Sequence, residues 1–186
     1  MTDETIGALF PLAYYLKQRD PRWAALKLGF SDVTIGGYGC AITAVAMLLN
    51  YRSMFTTFFT PAAVNSELVL AKAYRSKNLV DWLRLPEVFP KAHLHYDGRI
   101  DTPKTPAPVD RIDALLRTGT PVIVKVDSDL VKPDVQEHFV LVHGKVEGNY
   151  VIADPYRSAA TLCPAYGPTP AIAVVAMILY SAEPSI

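Results

Sequence analysis

Ile35-Gly36-Gly37-Tyr38-Gly39-Cys40-Ala41-Ile42-Thr43-Ala44-Val45-Ala46-Met47-Leu48-Leu49 reads as a glycine-rich loop that delivers one cysteine to the start of an apolar helix. Glycine admits backbone conformations that other residues resist, so the stretch is expected to turn sharply into the helix. A thiol at that point lies near the positive end of the helix dipole, among N–H groups without intrahelical acceptors. Both features favour the thiolate, which is the nucleophile. The same pattern also describes a small residue packing a helix, the commonest fate of a free cysteine. What the rest of the chain brings to Cys40 decides between the two.

Upstream, Tyr14-Tyr15-Leu16-Lys17-Gln18 reads as an extended piece, followed by a turn at Asp20-Pro21 and one helical turn under Trp23. The helix opened by Cys40 is expected to run to about Asn50, with Ile42, Val45, Ala46 and Leu49 facing inward. Thr60 and Pro61 suit the N-cap and first position of a second helix with Val64, Leu68 and Ala71 inside. A third helical segment, about Leu79 to Leu83, is expected to stop before Pro86.

Downstream the character changes. His93 to Tyr96 suggests a short strand, Asp101 to Pro108 a surface connection, and Val109 to Arg117 an amphipathic helix closed by Gly119. Pro121–Val126, His138–Gly144 and Tyr150–Asp154 are β-branched strands, the last two joined by a hairpin turn at Gly148-Asn149. Ala171 to Tyr180 is ambiguous in period and is taken as a closing strand. Helices first and an antiparallel sheet after them make an α+β layout in a single domain over residues 1–186.

Composition agrees with a packed core: 51% of residues are hydrophobic and only 19% charged, which excludes a disordered chain. Lys+Arg and Asp+Glu balance at 18 each, so neither nucleic acid nor an acidic membrane surface is an expected partner. Two cysteines make no disulfide framework. Met1-Thr2-Asp3-Glu4-Thr5 carries acids where a secretory signal carries bases, and no apolar run reaches the length of a bilayer span. A cytoplasmic protein is expected, with lysis or association with a virion as routes elsewhere.

A cysteine nucleophile needs a base, and the base needs a group that holds its ring. His138 begins one strand and Asp154 ends its hairpin partner, so both lie toward the same open end of the sheet. Asp127 and Asp129, in the loop before His138, are alternative partners for the ring. Gln18 and the Cys40 N–H are candidate donors to an oxyanion. His143 lies an odd step from His138, so a regular strand turns it to the other face and makes it packing or surface. His93 and His95 lack the further ligands a zinc site needs, and no metal or cofactor is expected. Cys163 has no motif around it, Trp23 reads as a core anchor and Tyr38 as cleft wall.

Gln18-Arg19-Asp20 with Trp23, Gly39-Cys40 opening a helix that contains Ala46-Met47, His138-Phe139-Val140 followed by Gly144, and Asp154-Pro155 together resemble the bacterial papain-like cysteine peptidases. More narrowly they resemble the group related to the peptidase domain that trims double-glycine leaders from bacteriocins. The resemblance implies a papain-like α+β fold, an N-terminal helical half packed on a C-terminal antiparallel sheet with the cleft between them. It implies Cys40 as nucleophile, His138 and Asp154 completing a triad, and Gln18 in the oxyanion hole. The partner so implied is a peptide or protein substrate; the leader peptide itself does not carry over, because these 186 residues hold no exporter sequence. Alternative readings are a peptidoglycan-cleaving amidase or endopeptidase acting in lysis, and an inactive papain-like binding or virion module. Oligomeric state is left open.

Overall fold

The computed structural model describes residues 5–7, 10–53, 57–102 and 105–182. The acidic opening Met1-Thr2-Asp3-Glu4, and positions 103–104 of the expected Asp101–Pro108 connection, lie outside them. A short strand β1 (Ile6–Gly7) precedes two helices in series, α1 (Ile35–Tyr38) and α2 (Cys40–Arg52). Every residue of α2 from Ile42 to Asn50 is buried, so it is a central helix covered all round and not one with a single inner stripe.

The glycine-rich stretch is helical, which corrects the expected loop. Thr34 caps α1 by accepting the Gly37 N–H on its side chain, and none of Gly36, Gly37 and Gly39 has a positive φ. Two of these glycines are there for space. A Cβ on Gly36 would come within 2.9 Å of the Ala24 carbonyl, and one on Gly39 within 2.5 Å of the Ile35 carbonyl. Packing, not backbone freedom, excludes larger residues before the cysteine.

Helix α3 (Pro61–Leu70) begins as expected, with Thr60 accepting the Ala63 N–H and Pro61 in the first turn. Leu79 departs from expectation: β2 (Tyr74–Arg75) and β3 (Leu79–Val80) form a small hairpin. The helix α4 (Leu85–Val88) then carries Pro86 in its first turn, where the missing N–H breaks no bond, so the helix does not stop before it.

Strand β4 (Leu94–Asp101) is longer than the expected His93–Tyr96, and His93 stands before it in a left-handed conformation. Helix α5 (Asp110–Arg117) leads into β5 (Val122–Asp127), β6 (Glu137–Val146) and β7 (Asn149–Ala153). The β6–β7 turn falls on Glu147 and Gly148, both at positive φ as a type I′ turn requires, one residue earlier than read. Ala171–Ala173 belong to a helical turn, α6 (Pro170–Ala173), and only then does β8 (Val174–Ala182) begin.

The sheet is antiparallel: β6, β5, β8 and β4 lie side by side, β1 pairs with β6 at Gly144 and Lys145 beyond the end of β5, and β7 runs along the other edge of β6. Ile123, Leu141, Ala153 and Ile178 face α2, on which α3 packs. Their neighbours Val122, Val124, Val140, Ile152, Met177 and Leu179 face Ile112 and Leu116 of α5. Both faces are therefore covered, and central strands read as continuous apolar runs without alternation. This is why the period of β8 is ambiguous. Among the described residues no helix is long and apolar enough to cross a membrane.

Candidate active site

Because β6 and β7 are antiparallel neighbours, the start of one and the end of the other meet at one end of the sheet. His138 is the second residue of β6, and Asp154 directly follows β7. His138 Nε2 donates to Asp154 Oδ1 at 2.8 Å. Cys40, the first residue of α2, lines the same cleft as this ring and acts on its pKa. Asp154 occupies Nε2 and leaves Nδ1 as the ring's other nitrogen. All three side chains are held at the junction of helix and sheet, where a cleft of about 1050 Å³ is lined by Gln18, Tyr38, Cys40 and His138 among others.

The electrostatics follow from that geometry. Burial works to lower the His138 pKa, but its hydrogen bonds to Asp154 and Cys40 outweigh this and raise it to about 9. Burial likewise works to raise the Asp154 pKa, but donation by His138 and Tyr166 wins and holds the carboxyl below its ordinary value. Both shifts favour an imidazolium beside a carboxylate.

Gln18 is buried, at 2% exposure. Its Nε2 donates to the Gly36 carbonyl at 3.1 Å, which fixes the amide and leaves its second hydrogen uncommitted by that bond. Trp23 anchors this segment from below, its indole N–H donating to the Lys17 carbonyl at 2.8 Å. The Gln18 backbone N–H donates to the Pro155 carbonyl. Lys17 Nζ donates to the carbonyls of Asp154 and Arg157. Tyr156 sits on the Arg19 guanidinium, 4.1 Å from its ring centroid.

The other candidates resolve by position. Asp127 accepts the N–H groups of Asp129 and Gln136 and shapes its own loop, while Asp129 pairs with Lys132. The carboxylate that accepts from His138 is that of Asp154. His143 stacks on Phe10 and accepts the Tyr15 hydroxyl at 2.7 Å on Nε2. Burial lowers its pKa to about 4, so it is a neutral packing residue on the opposite face from His138. His93 and His95 are exposed, and among the described residues no group of three or more His, Cys, Asp or Glu is placed to hold a metal. Cys163 donates its N–H to Asn149, and burial raises its thiol pKa.

Two residues at this site carry no sequence signal. Tyr166 donates its hydroxyl to Asp154 Oδ2, and Lys17 ties the Asp154 segment to the glutamine segment. Both contacts join irregular stretches, where no period reports what faces what.

Residues 14–163 match the family model described as the Peptidase_C39-like family. The chain belongs to that family. Its fold is similar to a crystal structure from Bacillus anthracis, named as a presumptive C39-like peptidase, at TM-score 0.52 and 14% identity. The alignment covers 97% of this chain and 100% of the other. The C39-like, papain-like α+β architecture is thereby shown. No curated protein matches the sequence. The C39-like match ends at residue 163, so it contains Gln18, Cys40, His138 and Asp154 and leaves Tyr166 outside.

Proposed function

We propose that this C39-like chain is a cysteine peptidase or amidase that cleaves a peptide or isopeptide bond by acyl transfer. The observation that carries the reading is the His138 ring, which donates to Asp154 and shares one cleft with Cys40, whose side chain acts on the ring's pKa. Cys40, as thiolate paired with the His138 imidazolium, attacks the carbonyl carbon. The negative charge that develops on the carbonyl oxygen is met by the second Gln18 Nε2 hydrogen and the Cys40 backbone N–H, in the first turn of α2. His138 gives its proton to the leaving nitrogen, the C–N bond breaks, and a thioester to Cys40 remains. The neutral ring then takes a proton from water, hydroxide attacks the thioester, and the acid leaves as Cys40 returns to its ion pair. Asp154 keeps the ring oriented throughout.

A peptide library of defined sequences, incubated with the protein and read by mass spectrometry, tests this directly. New termini are expected with the wild type and none with Cys40→Ala or His138→Ala. Cleavage that survives Cys40→Ala, or a wild type that neither cleaves nor forms a thioester with any library member, would overturn the reading.

A further inference from the structure

The Asp154 side chain is 0% exposed, and its two oxygens are held in different ways. Oδ1 accepts three hydrogens: from His138 Nε2 at 2.8 Å, from the Tyr156 N–H at 2.8 Å and from the Arg157 N–H at 3.0 Å. Oδ2 accepts the hydroxyl of Tyr166. Tyr166 is 1% exposed, its ring lies 5.9 Å from that of His138 between centroids, and the Arg157 guanidinium covers it at 5.3 Å.

We propose that Tyr166 is a positioning residue for the His138–Asp154 pair, its hydroxyl locking the carboxylate's rotation and keeping it ionised. The proposal rests on the acyl-transfer reading above for its catalytic consequence. A carboxylate turns about its Cβ–Cγ bond unless both oxygens are engaged. Here the three donors on Oδ1 act as one side of a clamp and the phenol as the other. Without the phenol a buried oxygen loses its donor, and the anion is penalised relative to the neutral acid. Burial and the Asp154 charge both raise the Tyr166 pKa, so the phenol stays protonated and keeps donating across the working range. The charged and titratable groups around this carboxylate and phenol are His138, Cys40, Arg157 and Lys17, whose Nζ sits on the Asp154 backbone carbonyl. Tyr166→Phe leaves all of them in place and keeps the ring, so a change in titration reads the hydroxyl.

The test combines NMR with chemical labelling. The Asp154 carboxyl carbon is titrated in wild type and Tyr166→Phe, and Cys40 is alkylated with limiting iodoacetamide in both. The Asp154 midpoint should rise by about one pH unit in Tyr166→Phe, and His138-dependent alkylation near neutral pH should slow several-fold. Should Tyr166→Phe fail to fold, the wild type alone decides: the Tyr166 ring carbon bearing oxygen should step in chemical shift as Asp154 ionises. Unchanged midpoints, or no such step, overturn the role of Tyr166. A wild type whose Cys40 reacts no faster than in His138→Ala sinks the acyl-transfer reading instead, and the Asp154 titration still decides Tyr166 in that case.

Discussion

The backbone N–H of Gln18 donates to the carbonyl oxygen of Pro155 at 2.9 Å, joining the segment that carries the glutamine to the segment that carries Asp154. Lys17 adds a second tie, its ammonium donating to the Asp154 carbonyl at 2.7 Å. The proposed oxyanion donor and the proposed triad acid thus share one joint. Lys17→Met should loosen both sides together, lowering turnover about tenfold while the stability loss stays within the ~1.5–3 kcal/mol of a charged hydrogen bond. Kinetics beside urea unfolding would check this; full activity with the stability loss would mean the joint serves folding alone.

Gln18→Ala removes the amide fixed by the Gly36 carbonyl. Turnover should fall by about 10²–10³, the loss usual for one oxyanion donor, with the fold retained by circular dichroism. Unchanged turnover in a folded variant would take Gln18 out of the oxyanion hole.

The two thiols should separate in reactivity. Cys40 opens a helix against an imidazolium, whereas burial raises the pKa of Cys163. At mildly acidic pH, limiting iodoacetamide should label Cys40 first, and His138→Ala should slow that phase. Peptide mass spectrometry reads it; equal labelling at both positions would argue against an ion pair.

Within the glycine stretch, substitution by alanine should divide by space. Gly36→Ala and Gly39→Ala meet backbone at 2.9 and 2.5 Å, and each should cost about 1–3 kcal/mol. Gly37→Ala meets only the Thr34 hydroxyl at 3.5 Å, within a helical turn, and should stabilise by about 0.5–1 kcal/mol. Three urea midpoints decide it, and equal costs at all three would contradict the packing account.

Stability should peak near neutral pH for reasons that can be separated. His143 has a folded pKa of about 4, so between there and about 6.5 the unfolded chain binds a proton that the folded one refuses. Stability therefore rises with pH across that window, by about 3 kcal/mol from this ring. The depressed Asp154 contribution is likewise lost as pH falls through its folded value. His138 has the opposite sign: its contribution is complete below about 6.5 and is lost as pH rises through about 9. His143→Gln should flatten the slope between pH 4 and 6.5 and leave the alkaline slope alone. An unchanged acid slope in urea titrations would show that His143 is not its source.

How much of this is legible in the sequence depends on whether a residue sits on a regular element. The meeting of His138 and Asp154 follows from hairpin geometry, and the Thr60-Pro61 start follows from capping chemistry, because period and cap are local properties. The glycine stretch misleads, since Gly36 and Gly39 answer to Ala24 and Ile35, and crowding leaves no mark on local propensity. Pro86 misleads because a proline ends one helix or opens another with equal ease. The burial of Gln18, the Lys17 tie and the Tyr166 hydroxyl all belong to irregular segments brought together only by the finished fold.

Strand β8 lies between β5 and β4, yet in chain order it follows every other strand described. During synthesis β4 and β5 emerge with no partner between them, and each must wait for Val174–Ala182 to arrive. The sheet therefore closes by insertion of a late segment into its interior, a step of long sequence separation and correspondingly slow search. Until that insertion, β5, the strand beside the one that carries His138, has an open edge. A ribosome-bound chain stalled before β8 would carry every residue of the site on a sheet still open along β5.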